Sequence, residues 1–332
     1  MSAPPSWSDW QPLALSPSNG LLLPGPLAPA VLAEVLDGGQ AFRWHPVVDA
    51  ALPPALRPVR HSFSDGGSLG ESEPVPDTAM VWQGVWSGCV TRLTPGAAGG
   101  VQWSAPRALV GAAAAELPRY LAASVDFAQL ADSLPWRSDP HLARCLAAFP
   151  GLRLLRQPLG ETLLGFLCSA TKQIVQIRQM VDLLARRHGR EIAPGIHRLP
   201  TLAELAAVTE EDLRACLLGF RARYVKQTAL FLAEHGGWLE QLEPLPYAEA
   251  KARLRELPGV GEKVADCVLL FGAGRLEAFP VDVWILRAMA TRYGLDGWTP
   301  QQVAHFGRTH FGPHAGLAQQ FLFAWERAHR RD

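Results

Sequence analysis

Lysine is scarce in this chain. Of 31 basic side chains in 332 residues only four are lysines: Lys172, Lys226, Lys251 and Lys263. Arginine does not deprotonate in proteins, so chemistry that needs a neutral amine is confined to those positions. Cysteine is sparse as well. Cys89, Cys145, Cys168, Cys216 and Cys267 stand far apart, which excludes a paired-cysteine metal site and offers no disulfide framework. No uninterrupted apolar run reaches the ~20 residues of a membrane span, and the N-terminus lacks the charged and apolar segments of a signal peptide. No membrane association is expected. Net charge is missing too, at +0, so charge alone does not argue for a polyanion binder. The two parts of the chain differ, however. Residues 1–135 carry a balance of −5 and residues 136–332 a balance of +5, which leaves the second part mildly basic.

Apolar material is plentiful at 48%, enough for a large core and for two or three domains. Residues 1–20, rich in Pro, Ser and Trp, read as a loosely tethered arm. Residues 21–125 read as a β-rich domain, beginning with a strand and a short helix before Leu36. Gly38-Gly39 then makes a turn that feeds Phe42 and Trp44 into a strand. From 45 to 78 the composition shifts to Pro, Gly, Ser and Asp without periodicity, an inserted loop. Strand patterning resumes over 80–90 and 101–103, and a helix follows near 105–123. From Asp126 to the end the apolar spacing is that of helices, separated by Gly, Pro and polar breaks. No repeat of fixed period occurs. Sheet first and bundle after predicts an α+β fold, an N-terminal antiparallel sheet followed by an all-helical domain at 126–332.

One stretch organises the rest: Leu257-Pro258-Gly259-Val260-Gly261-Glu262-Lys263-Val264-Ala265-Asp266-Cys267, followed by Pro280-Val281-Asp282-Val283. Two apolar helical runs meet at a turn with glycines at 259 and 261. There the backbone can come close to a phosphate and offer the free N–H groups of the next helix start. That is a helix-hairpin-helix. Lys263 sits at the start of the second helix, where desolvation and the positive helix end favour the neutral amine, a carbon nucleophile able to form a Schiff base. Asp282 stands at an N-cap position. His305, His310 and His314 lack a partnered carboxylate at ligand spacing and read as surface histidines, so no metal site is expected.

With these blocks the chain resembles the helix-hairpin-helix base-excision glycosylases, and within them the 8-oxoguanine DNA glycosylase/AP lyases. The likeness runs from about Leu36 to Phe323. It rests further on Gly39-Gln40-Ala41-Phe42-Arg43-Trp44, Leu154-Leu155-Arg156-Gln157, Phe166-Leu167-Cys168-Ser169 and Gly219-Phe220-Arg221-Ala222-Arg223-Tyr224-Val225. The resemblance implies a bifunctional enzyme acting on duplex DNA that contains an oxidised purine. Lys263 would attack the sugar of a flipped-out nucleotide, and Asp282 would steady the cationic sugar. Gly39 would present its carbonyl to the N7 hydrogen that distinguishes 8-oxoguanine from guanine. Phe42, Cys267, Gln319 and Phe323 would contact the base, Cys267 and Phe323 from opposite faces and Gln319 at its Watson–Crick edge. Gly259, Val260, Gly261, Arg221, Arg223 and Lys172 would contact DNA. The clustered cysteines of the iron–sulfur branch are missing. No cofactor is implied beyond a monovalent or divalent cation at the hairpin–phosphate contact. A monomer is expected, cytoplasmic and nucleoid-associated in a bacterium or nuclear in a eukaryote.

The sequence departs from the family at four places, the first three of them at the opposite-base reader. Thr171-Lys172-Gln173 replaces a run of asparagines, Gln176 an arginine, Phe220 a tyrosine, and Trp284 a histidine. An alkylpurine glycosylase on the same fold and a non-catalytic DNA-binding module are the alternatives. Lys263 speaks against the first, and Lys263 together with Asp282 against the second.

Overall fold

Strands form where β-branched and aromatic residues alternate with polar ones, and the first part of the chain assembles five of them. A computed structural model describes residues 5–15, 27–48, 80–96 and 100–329. β1 (Gln11–Leu13), β2 (Trp44–Val48), β3 (Met80–Trp86), β4 (Cys89–Pro95) and β5 (Val101–Ser104) form one antiparallel sheet in the order β1-β5-β4-β3-β2. α1 (Pro29–Asp37) and α2 (Val110–Tyr120) complete this part. Trp44, Trp86 and Tyr120 are buried together, and the Trp44 indole N–H donates to the Tyr120 hydroxyl at 2.9 Å. Each such side chain contributes about 1.5–3 kcal/mol relative to exposure.

Two expectations for this part are corrected. Residues 1–20 are not simply a loose arm, because β1 pairs with β5 through Gln11 opposite Trp103, and the Ser8 N–H donates to the Ala105 carbonyl at 2.8 Å. The insertion does not begin at 45, because His45–Val48 continue β2 opposite Val81–Gln83 and Met80. Pro46 is tolerated there because β2 is the outer strand of the sheet. The remainder of the insertion, and the strand expected after Leu21, fall largely outside the described residues.

The second part is helical: α3 (Phe127–Asp132), α4 (Pro140–Ala148), α5 (Leu159–Leu167), α6 (Ile174–His188), then α7 (Leu202–Leu205), α8 (Glu210–Leu213), α9 (Arg221–Glu234), α10 (Tyr247–Leu254), α11 (Glu262–Val268), α12 (Val283–Tyr293), α13 (Pro300–Phe311) and α14 (Ala315–Ala328). One hairpin of β6 (Glu191–Ala193) and β7 (Ile196–His197) interrupts the expected all-helical domain. Local sequence sets the helix ends. Asp139 caps α4 ahead of Pro140, Thr299 and Gln302 make a reciprocal cap on α13, and Gly294 closes α12 at φ +68°. His310 is not a free surface histidine, since its ring bonds the buried Asp139 carboxylate at 3.0 Å.

One hydrophobic core runs through sheet and helices without a break. Polar contacts seal the seam. The Gln40 amide donates to the Arg153 carbonyl and accepts the Leu155 N–H, both at 3.0 Å. Gln157 donates to the Gln40 carbonyl at 2.6 Å. Two ion pairs clamp the turn after α1: Asp37 to Arg178 of α6, and Glu34 to Arg327 of α14, the latter at 3.0 Å.

Candidate active site

The hairpin α10–turn–α11 is braced from behind. Lys251 of α10 reaches Asp266 at 2.9 Å and Glu262 at 2.8 Å, and the Tyr247 hydroxyl donates to Asp266 at 2.6 Å. Asp266 is buried against α10, so these bonds fix how α11 leaves the turn. Gly259 lies at φ +80°, and a Cβ there would stand 2.7 Å from the Tyr224 Cβ. Gly261 differs: it is the N-cap of α11 at φ −94°, exposed, with open space where a Cβ would stand. Val260 between them is buried, so its contribution to a phosphate contact is confined to its backbone.

Lys263 lies in the first turn of α11. Its ammonium donates to the Ser169 hydroxyl at 3.1 Å and lies 5.0 Å from the centre of the Phe166 ring. Ser169 in turn donates to the Phe166 carbonyl at 2.7 Å, which leaves oxygen lone pairs for the lysine. Asp282 caps α12 and accepts the Trp284 and Ile285 N–H groups at 3.0 and 2.9 Å. Burial raises its pKa above the ordinary aspartate value, against the pull of those N–H groups and of the Lys263 charge. Lysine and aspartate therefore sense each other across the gap between α11 and α12. Cys267, one turn beyond Lys263, is buried, and its thiol is pushed up to about 12 by that burial, so it is a neutral, apolar surface.

The base-reading candidates approach from the sheet side and from α14. Gly39 is at φ +100°, and a Cβ there would meet the Ile174 Cδ1 at 3.1 Å and the Phe323 Cε1 at 3.7 Å. Only glycine suits both conformation and space. The Gly39 carbonyl receives no hydrogen bond among the described residues. Gln319 and Phe323 lie one turn apart on α14, both buried.

Phe42 sits one layer behind. It packs edge-on against Phe166 at 5.3 Å and under Gly165, so among the described contacts it meets Lys263 only through Phe166. Arg221, expected at the DNA surface, is 2% exposed. Its guanidinium donates to the Ala170 and Leu218 carbonyls and to the Thr171 hydroxyl, which holds Thr171 at φ +56°. Arg223 and Lys172 are exposed, Arg223 beside the Tyr224 ring. Ser169 and Phe166 were legible only as members of a matching block. Nothing in their spacing marked them as the cradle of the lysine. Among the described residues no cluster of His, Cys, Asp and Glu could hold a metal ion.

Residues 164–311 match the family described as the HhH-GPD superfamily base excision DNA repair protein. A probable N-glycosylase/DNA lyase of Methanothermobacter thermautotrophicus is 31% identical over 58% of this chain and 69% of its own length.

The chain belongs to the N-glycosylase/DNA lyase family.

N-glycosylase/DNA lyase OGG1 of Arabidopsis thaliana is 36% identical over 62% of this chain, and the matched region spans 60% of that relative's length. Among solved structures, the 8-oxoguanine glycosylase/lyase of Clostridium acetobutylicum in complex with DNA containing cytosine opposite the lesion superposes with a TM-score of 0.73. Its identity is 26%, over 89% of this chain and 91% of that one. The likeness of this family member therefore covers the sheet as well as the hairpin.

Proposed function

We propose that this protein is a bifunctional DNA glycosylase that excises 8-oxoguanine-type purines from duplex DNA and then cleaves the abasic site by β-elimination. The observation that carries the reading is the lysine amine held on Ser169 at 3.1 Å in the first turn after the hairpin, with the half-buried Asp282 carboxylate capping the next helix. Neither group can reach a sugar carbon within an intact stack, so the nucleotide must be flipped out.

In that pose the Gly39 carbonyl accepts the N7 hydrogen of the oxidised purine, where undamaged guanine presents a lone pair. Cys267 and Phe323 take the two faces of the ring, and Gln319 its Watson–Crick edge. The bond from C1′ to the base breaks, and its electron pair leaves with the base. The neutral Lys263 amine forms the new bond to C1′ and loses a proton, and opening of the sugar gives a Schiff base. Removal of a C2′ proton then expels the 3′ phosphate. Asp282, as a carboxylate, stabilises the cationic sugar. The Val260 N–H is spent on the Leu257 carbonyl at 3.1 Å, so the backbone N–H groups at Gly259 and Gly261 hold a phosphate, alone or through a cation, and Arg223 and Lys172 add backbone contacts.

Borohydride trapping on lesion-containing duplex tests this. The wild type is expected to form a covalent adduct. Lys263→Gln is expected to bind the lesion but to lose both excision and trapping, because an amide nitrogen has no nucleophilic lone pair. Trapping that persists in Lys263→Gln would place the nucleophile elsewhere.

A further inference from the structure

Adjacent residues of a helix point about 100° apart and do not normally face each other. Gln319 and Gln320 of α14 break that habit. Both are buried, at 3% and 7% exposure, and the Gln320 Nε2 donates to the Gln319 Oε1 at 2.7 Å. The Gln319 NH2 group finds no acceptor among the described residues. It sits one turn before Phe323, whose ring edge borders the space above Gly39. Those donors remain available to an acceptor that enters that space.

We propose that Gln320 is a positioning residue that fixes which way the Gln319 amide faces, and so restricts the pocket to purines with a guanine-type Watson–Crick edge. This deepens the proposed function and rests on it. A carboxamide oxygen has two lone pairs. One takes the Gln320 N–H and the other remains for a base N1–H, while the NH2 donates to the oxygen at position 6. A guanine-type edge offers an acceptor at position 6 and a donor at position 1, so every group is satisfied. An adenine-type edge offers the reverse. Reading it requires both buried amides to turn over together, because turning Gln319 alone sets its NH2 against the NH2 of Gln320. Phosphate contacts at the hairpin are indifferent to this, so affinity for plain DNA does not depend on it.

The test compares single-turnover excision of 8-oxoguanine and 8-oxoadenine in otherwise identical duplexes. Both bases carry the N7 hydrogen, so the Gly39 contact is constant and only the Watson–Crick edge changes. In Gln320→Leu the freed amide turns either way, and the preference for 8-oxoguanine is expected to fall at least tenfold. Gln320→Glu offers only acceptors. It draws the Gln319 NH2 to itself, and is expected to excise 8-oxoguanine more slowly than Gln320→Leu does. Thermal unfolding separates this from misfolding, since both variants remove the same native hydrogen bond yet differ in how fast they excise 8-oxoguanine. An active wild type whose preference survives unchanged in both variants overturns this inference alone. A wild type that excises 8-oxoguanine from no duplex overturns the proposed function and this inference with it.

Discussion

The opposite base gives the sharpest numerical test. When the damaged purine leaves the stack, its partner exposes a pairing edge. Cytosine offers acceptors at O2 and N3 and a donor at N4. Thymine offers acceptors at O2 and O4 with a donor at N3. Discrimination of about 1–3 kcal/mol needs a good bidentate pair of hydrogen bonds from the protein. The groups on that side do not supply one. Of the five guanidinium N–H groups of Arg221, Nε and Nη2 are committed to Ala170 and Thr171 and one Nη1 hydrogen to Leu218, which leaves a single donor. Gln176 turns its amide oxygen back to the Gln173 N–H at 3.2 Å. Phe220 is 53% exposed but has no hydroxyl, and the Arg221 guanidinium lies against its ring at 4.3 Å. A single donor meets an acceptor on either pyrimidine. Excision opposite cytosine and opposite thymine should therefore differ by no more than about tenfold, or about 1.4 kcal/mol. Gln176→Arg should widen the gap, because it frees the cap and adds a forked donor. Single-turnover rates on duplexes that differ only at that base measure it. A hundredfold preference for cytosine in the wild type would refute the reasoning, because no pair of groups in this geometry accounts for it.

Two further predictions concern the hairpin and the carboxylate. Gly259→Ala should destabilise the fold by about 2–4 kcal/mol, combining the cost of left-handed backbone with overlap at Tyr224. Gly261→Ala, with open space for its Cβ, should leave denaturant unfolding unchanged and weaken lesion-containing and plain duplexes alike. Loss of lesion preference at undiminished affinity in Gly261→Ala would contradict a phosphate-holding role. Asp282→Asn keeps an N-cap acceptor but not the charge, and should slow excision by about 10²–10⁴-fold. The raised Asp282 pKa means that the wild-type rate should fall on acidification at a pH above the usual aspartate range, a limb that Asp282→Asn should lack. The sign for stability runs the other way. A carboxyl raised above its unfolded value stabilises fully below that value and loses the contribution as pH rises through the folded value. At neutral pH Asp282→Asn should therefore unfold no earlier than the wild type.

What was legible in the sequence follows from the range of the interactions. The helices over 127–132, 140–148, 174–188 and 283–293 announce themselves by apolar spacing, and the last also by its cap Asp282, all local signals. The strand at Gln11–Leu13 does not, because its pairing partner lies at 101–103 and its composition is that of a tail. Residues 45–48 were hidden by Pro46, a strand breaker everywhere except at an edge. Lys263 stood out by the scarcity of lysine and its place after the hairpin glycines. Ser169 and Gln320 were not singled out as functional, because each takes its role from a partner, and the Lys263–Ser169 bond joins positions 94 residues apart. Arg221 shows the converse. Its block pointed to DNA, and the fold spends most of its donors on shaping the loop at Ala170.

The division of labour explains why the sheet belongs to the enzyme at all. The hairpin, lysine and aspartate all come from the helical part, which under the proposed function holds the DNA and attacks the sugar. The candidate reader of oxidation, the Gly39 carbonyl, comes from the other part, on a turn of two glycines that has no stiffness of its own. Its position over Phe323 is imposed from outside. Asp37 ties the entry of the turn to Arg178 on α6, Glu34 ties the preceding helix to Arg327 on α14, and Gln40 pairs with the backbone at Arg153 and Leu155 immediately after it. A carbonyl distinguishes an N7 hydrogen from an N7 lone pair only if it cannot retreat when the wrong base arrives. These clamps supply that rigidity, so under the proposed function lesion recognition belongs to the seam between the two parts.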